Sequence, residues 1–364
     1  ELLIESDEHS NVVRYFAKEE DTTFVYLALE YCPCTLAEFI ENDSSSSPLT
    51  QDAQSVNDMT IIHQLVQSIV HIHSLGIVHL DLKPQNILLS QNCRVKLSDM
   101  GLGKRLDKNK SSFCASVAGT LGWQAPEILR GNMRTTKSVD IFSLGCIVYY
   151  VLTKGQHPFG EGYQRDNNIL KNKYNLNHQN ISPEMANLIE SMLCHDPSKR
   201  VAASSILQHP AMWTDETKLN FLSDVSDQLG KEKQQSFVYQ KLESIPIKQT
   251  IFSTERRDIS NNNSNAKKKR HTPLDWSVSL DEIVLRNVEK FRKYDHTQVW
   301  DLLRLIRNIR AHYREYDQEL QDALKPIPGG IFSFFAKQFP NLFFQVYTVV
   351  KQNWRQKDVF QHYF

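Results

Sequence analysis

From Met59 to Leu75 apolar side chains return at helical spacing, which predicts an amphipathic helix ending at Gly76. Phe24 to Tyr31 is β-branched and aromatic and predicts a strand. Ahead of it, Glu1 to Ile4 reads as the second half of a helix, and His9 to Tyr15 leads into another strand. Ile141 to Leu152 is an apolar run too short for a bilayer, which takes about 20 residues, so it predicts a buried core helix. Phe221 to Leu242 is helical again. Residues 300 to 316 carry Leu302, Leu305, Ile306, Ile309 and Tyr313 as an apolar stripe, with Arg304, Asn308 and His312 four apart on another face and Arg307 beside them. Ser44 to Ser47 with Pro48 reads as a loop. A polar stretch from Ser260 ends in Lys267-Lys268-Lys269-Arg270, which reads as a disordered, solvated loop rather than a targeting signal or a nucleic-acid contact. Trp276 to Phe364, rich in helix formers and aromatics with breaks at Pro326, Pro328 and Pro340, is too apolar to be a tail.

Composition changes this picture little. A chain of 364 residues suggests two domains, at roughly 150 residues each. Lysine plus arginine and aspartate plus glutamate both number 42, so overall charge points to no partner. The cysteines at 32, 34, 93, 114, 146 and 194 form no Cys-x-x-Cys pair and read as small buried hydrophobes in a reducing compartment. With no signal peptide and no membrane span in view, the chain is expected to be soluble. No internal repeat is apparent.

Residues 79 to 86, His-Leu-Asp-Leu-Lys-Pro-Gln-Asn, bring in chemistry. They offer a carboxylate, an ammonium and an amide at the offsets needed to position a hydroxyl against a metal-bound triphosphate. Asp81 can accept the proton of the attacking hydroxyl, Lys83 can neutralise charge on the phosphoryl group in transfer, and Asn86 can ligate Mg²⁺ through its amide oxygen. One such octet could equally be a capped turn after a buried helix. It resembles the catalytic loop of protein kinases, however, and companions follow in kinase order. Ser98-Asp99-Met100-Gly101 stands where that family has Asp-Phe-Gly, Ala125-Pro126-Glu127 matches the end of the activation segment, and Asp140 to Gly145 matches the buried-Asp helix of the C-lobe.

The resemblance implies an α+β chain: a protein-kinase fold over residues 1–213, with a truncated N-lobe and helical C-lobe, and an all-helical domain over 214–364 with a disordered loop near 258–272. It implies ATP or ADP with Mg²⁺, Asp81 and Lys83 as catalytic residues, and Asn86 and Asp99 as metal ligands. Glu30 and Cys32, around Cys32-Pro33-Cys34, would present backbone to the adenine edge. Ser111, Ser112 and Ser116 fall in the activation loop, Arg200 would pair with Glu127, and His209-Pro210 would close the domain near Trp213. No Gly-x-Gly-x-x-Gly occurs in the chain. That loop, the nucleotide-pairing Lys and its Glu partner are expected before Glu1, and without them phosphotransfer is expected to be inefficient.

A second constellation lies downstream. Lys290, Arg292 and Lys293 precede Tyr294, so a His, a Tyr, an Asn and several Arg gather within a short basic surface. For RNA cleavage that set suffices in principle, since a His can exchange a proton near neutral pH and an Arg can clamp a phosphate. By itself a helix with Arg and His on its wet face is usually just a soluble helix. Asp301-Leu302-Leu303-Arg304, Arg307-Asn308 and His312-Tyr313-Arg314-Glu315, however, resemble the endoribonuclease module of the inositol-requiring enzymes, the kinase/endoribonucleases of the unfolded-protein response. So do Glu5 to His9, Gly119-Thr120-x-Gly122-Trp123, Val139 to Ser143, His157-Pro158-Phe159-Gly160 and Asp224-Val225-Ser226-Asp227.

That resemblance implies that His312 protonates the leaving 5′-oxygen, Tyr294 helps to activate the 2′-hydroxyl, and Arg307 with Asn308 holds the scissile phosphate. The reaction would need no cofactor and would leave a 2′,3′-cyclic phosphate. It also implies a stem-loop mRNA substrate, a back-to-back homodimer and higher oligomers favoured by nucleotide in the kinase pocket, and a place on the cytosolic face of the endoplasmic-reticulum membrane. The chain departs from the kinase pattern twice: Leu80 replaces the Arg of His-Arg-Asp, which removes a usual contact to a phosphorylated loop, and Met100 replaces Phe. Two other readings compete. One is a kinase whose C-terminal module only binds or regulates; the other is a ribonuclease on a nucleotide-binding scaffold, as in the 2-5A-dependent ribonuclease.

Overall fold

Asn57 opens the predicted long helix by accepting the Met59 N–H at 2.9 Å through its side chain, and the helix runs Asp58–Ser74. Ile61, Ile62, Leu65, Val66, Ile69 and Ile72 form its buried stripe. Gly76 then takes a φ of +78°, a left-handed turn open to glycine at little cost, and sends the chain into the short strand Ile77–Val78. The computed structural model describes residues 2–41, 56–106, 113–114, 120–131, 134–245 and 275–364. Ser44 to Pro48, the three activation-loop serines, Gly119, the basic run and the loop near 258–272 lie outside the described residues.

The chain divides into two compact units, Glu1–Met212 and Trp213–Phe364. In the first, Leu2–Ser6 is helical and Tyr15–Glu20 pairs antiparallel with Val25–Leu29, as the sequence predicts. A three-stranded antiparallel sheet orders Cys34–Thr35, Ile87–Leu89 and Val95–Leu97, with Leu88 opposite Lys96. The octet thus lies between two strand segments that fix both its ends. The apolar run becomes the helix Ser138–Leu152, buried at every position from Val139 onward. Cys34, Cys93 and Cys146 are buried and Cys32 and Cys194 only partly, and these five are free thiols.

In the second unit Thr214 caps the helix Asp215–Leu229 by accepting the Thr217 N–H at 3.1 Å. The helical stretch expected over 221–242 is two helices, because the chain turns after Gly230 and restarts where Ser236 caps Phe237–Glu243. Among the described residues five more helices follow, Glu282–Val288, Val299–Ala311, Gln318–Ala323, Gly329–Gln338 and Leu342–Asn353, with the expected breaks at Pro326 and Pro328 falling before Gly329–Gln338 and that at Pro340 before Leu342–Asn353. The helix expected to reach residue 316 stops at Ala311, and a 3₁₀ turn covers Tyr313–Glu315. Aromatic rings fill the core: Trp213, expected near the end of the first domain, has ring centroids 5.3 to 6.0 Å from those of Phe221, Phe343, Tyr347 and Tyr363 in the second. Among the described residues no helix is long and apolar enough to cross a membrane.

Candidate active sites

The first site is built on Asp140, buried in the core helix. Its carboxylate accepts the backbone N–H groups of His79 at 2.8 Å and Leu80 at 3.0 Å, and the ring of His73 lies 2.9 Å away. Burial pushes the Asp140 carboxyl up, but the hydrogen bond and charge of His73, with His79, outweigh it and leave the group below the usual range. Leu80 has a φ of +70°, a left-handed conformation that strains a side chain branched at Cγ, and the Asp140 bond holds it there. The side chain itself packs on the apolar core. The His79 ring fixes the Ser98 carbonyl at 2.8 Å, which ties the octet to the Asp99 segment.

Asp81 is held from every side. One oxygen accepts from Lys83 Nζ at 2.8 Å and Asn86 Nδ2 at 2.9 Å; the other accepts from Thr120 N and Oγ1, both at 2.8 Å. Burial raises the carboxyl's pKa, and Lys83, Thr120 and Asn86 together overcome that, so the group stays ionised at neutral pH. By linkage this network stabilises the fold above the unfolded carboxyl's pKa, and the stability is lost as pH falls through the lowered folded value. Lys83 Nζ also donates to Thr120 Oγ1 at 2.5 Å. Thr120 is thus an organising residue that reading the octet missed, although the Gly-Thr-x-Gly-Trp motif contained it.

Asn86 spends its amide nitrogen on Asp81, donating to the backbone oxygen at 2.8 Å as well as to the carboxylate, which leaves its oxygen for a hard cation. Asp99 sits at φ +56° with an exposed carboxylate, one oxygen receiving the Gly101 N–H at 3.3 Å. Among the described residues no group of three His, Cys, Asp or Glu could hold a metal ion. The donor set here, one amide oxygen and one carboxylate, suits an ion shared with phosphate oxygens. Near the expected adenine edge, Glu30 pairs with Lys96 at 2.6 Å, and burial with the Glu30 charge pushes the Cys32 thiol up to about 11, so it stays neutral. Behind the site Arg200 meets Glu127 through two bonds of 2.5 and 2.7 Å, as the sequence predicts.

The second site starts from how its helix is anchored. Glu243 accepts the N–H groups of Val299 at 2.8 Å and Trp300 at 2.9 Å, a carboxylate cap supplied by another helix, which sequence reading missed. Burial pushes its carboxyl up against those two hydrogen bonds. At the other end Asn308 Nδ2 donates to Tyr294 Oη at 2.9 Å, and Arg307 Nη1 donates to Asn308 Oδ1 at 2.9 Å. Arg307 Nη2 lies 2.7 Å from Asp227 Oδ1. Burial raises the Tyr294 pKa, with the Asn308 hydrogen bond and the charges of Arg292 and Arg307 opposing, so the phenol is neutral at pH 7. His312 caps the helix, its backbone N–H on the Asn308 carbonyl at 2.9 Å and its Nδ1 2.9 Å from Glu315.

Tyr294, Arg307 and Asn308 are therefore in one bonded chain, with His312 one turn beyond. Arg304, which the periodicity put on the same wet face, is otherwise occupied: it pairs with Asp301 at 2.9 Å and stacks over Trp300 at 4.3 Å. Lys290 pairs with Asp317 at 2.9 Å. The i,i+3 helical spacing signals Asp301 as a partner for Arg304, whereas a single sequence could not signal Asp317 for Lys290.

Known protein families match both parts of the chain. Residues 1–212 match the protein kinase domain, and residues 218–364 match ribonuclease 2-5A. The chain is 39% identical over 379 residues to the rice (Oryza sativa subsp. japonica) serine/threonine-protein kinase/endoribonuclease IRE1, covering 100% of this chain and 40% of the relative. It is 36% identical over 364 residues to human serine/threonine-protein kinase/endoribonuclease IRE2, covering 96% of this chain and 36% of the relative. It is 35% identical over 395 residues to the Schizosaccharomyces pombe sensor for unfolded proteins in the ER, ire1, covering 100% and 35%. The chain spans about two fifths or less of the length of these curated relatives. It belongs to the protein kinase family, in the branch where a ribonuclease domain follows the kinase domain: the inositol-requiring kinase/endoribonucleases. A kinase domain implies ATP and a divalent metal ion, and a ribonuclease domain implies RNA as substrate.

Proposed function

We propose that this protein is a bifunctional Ser/Thr protein kinase and endoribonuclease of the unfolded-protein response, which autophosphorylates and cleaves stem-loop mRNA when it dimerises. The observation that carries the ribonuclease half is the bonded chain Tyr294–Asn308–Arg307 with His312 at the end of the same helix. In this reading the 2′-oxygen attacks phosphorus while the P–O5′ bond breaks. Tyr294 orients the 2′-hydroxyl and helps to activate it, and the 2′-hydroxyl proton passes to solvent water as the O2′–P bond forms. Arg307 and Asn308 hold the phosphate as its charge develops. Glu315 fixes the His312 ring through Nδ1, leaving Nε2 to protonate the departing 5′-oxygen. The products are a 2′,3′-cyclic phosphate and a 5′-hydroxyl, and the chemistry calls for no cofactor.

For the kinase half, Asp81 takes the substrate hydroxyl proton and Lys83 neutralises the phosphoryl group. Mg²⁺, held by Asn86 and Asp99, would neutralise ATP phosphates when bound. The backbone of Glu30 and Cys32 would read the adenine. Localisation on the cytosolic face of the endoplasmic-reticulum membrane, and a back-to-back homodimer that forms higher oligomers, complete the reading; the S. pombe relative's name supports the compartment.

The test separates the two activities in the whole protein. Asp81→Asn is expected to lower phosphotransfer to a peptide by roughly 10²–10⁴-fold while RNA cleavage by the dimer persists. Loss of both activities with the dimer intact would contradict two independent centres.

A further inference from the structure

The Asp224-Val225-Ser226-Asp227 stretch has a use for each residue. Asp224 accepts from the Tyr363 hydroxyl at 2.7 Å, Val225 is fully buried, and the Ser226 carbonyl receives the Trp300 indole N–H at 3.4 Å. These three hold the helix Asp215–Leu229 in its core. Asp227 does something else. Its carboxylate reaches Arg307 at 2.7 Å, and both side chains are about half exposed, so the contact adds little to stability.

What that contact does is set direction. Arg307 has two terminal nitrogens, and the structure uses them differently: Nη2 faces Asp227, and Nη1 donates to Asn308 Oδ1. With its oxygen engaged, Asn308 must aim its amide nitrogen at Tyr294, and it does, at 2.9 Å. The Tyr294 oxygen therefore accepts, and its own hydrogen points away from Asn308. Of the five N–H donors of a guanidinium, two are committed, which leaves others to meet a phosphate while Asp227 stays in place.

We infer that Asp227 is a positioning residue of the ribonuclease site: through Arg307 and Asn308 it orients the Tyr294 hydroxyl for the RNA 2′-oxygen. This rests on the ribonuclease reading above, so the experiment first requires that wild type cleave a stem-loop RNA and that His312→Ala fail to do so. If wild type does not cleave, that reading falls; the following comparisons judge Asp227 once it does.

Steady-state cleavage by Asp227→Ala is expected to show kcat lowered roughly tenfold with KM within about twofold, the pattern of lost alignment rather than lost binding. Asp227→Asn keeps an oxygen that can accept from Arg307, so it is expected to recover most of kcat. In an Asn308→Ala background, where the relay is already cut, Asp227→Ala is expected to cost nothing further. A lower KM or a higher rate in Asp227→Ala would overturn the inference, because Asp227 would then be a competitor that RNA phosphate must displace. Equal losses in both backgrounds would also overturn it, since a purely structural contact does not depend on Asn308.

Discussion

Replacing His312 by alanine is expected to lower RNA cleavage by roughly 10²–10⁴-fold, the range for losing a general acid, with folding and phosphotransfer kept. The structure explains why the effect should be clean. His312 lies outside the apolar stripe, just past the last helical residue, and its ring meets Glu315 at the surface, with side-chain exposures of 52% and 58%. Truncating it opens no cavity, and the helix keeps its cap through the His312 backbone N–H. Gel analysis of RNA beside a melting curve checks both halves. A variant that cleaves like wild type removes His312 from the mechanism.

The largest expected effect on stability lies elsewhere. Arg200 and Glu127 are buried, with side-chain exposures of 0% and 2%, and Arg200 also donates to the carbonyls of Cys194 at 2.7 Å and Ser138 at 3.0 Å. Arg200→Met leaves a carboxylate without a counter-charge in a dry site, which costs about 3–5 kcal/mol. For a domain of this size that is a fall of roughly 10 °C in its melting temperature. Adding Glu127→Leu removes the stranded charge and is expected to restore much of the loss. A single mutant that melts within a degree or two of wild type would mean that the pair is not closed off from water.

Much of this was legible because the residues that matter are close in sequence. Asp81, Lys83 and Asn86 fall within one short loop, and the bonds among Asp81, Lys83 and Asn86 follow from that spacing. Arg307, Asn308 and His312 are read together for the same reason. What stayed hidden are long-range partners. Thr120 reaches Asp81 across 39 positions, Glu243 caps a helix 56 and 57 positions away, and Asp227 lies 80 positions before Arg307 in the numbering of the chain. Periodicity places a side chain on a face but does not say what meets it there. It could not show that Arg304 turns back onto Trp300 and Asp301 instead of toward a substrate. The helix end at Ala311 escaped for a related reason, since Ala, His and Tyr carry no stop signal of the glycine or proline kind.

The most direct test of a kinase joined to a metal-independent ribonuclease is the chemistry of the cut ends. A short stem-loop RNA is incubated with the protein in EDTA, at a concentration where sedimentation shows the dimer, and the fragments are resolved by mass. Fragments ending in a 2′,3′-cyclic phosphate and beginning with a 5′-hydroxyl are the expected result. Intact RNA beside a confirmed dimer, or fragments with 3′-hydroxyl and 5′-phosphate ends, would contradict it.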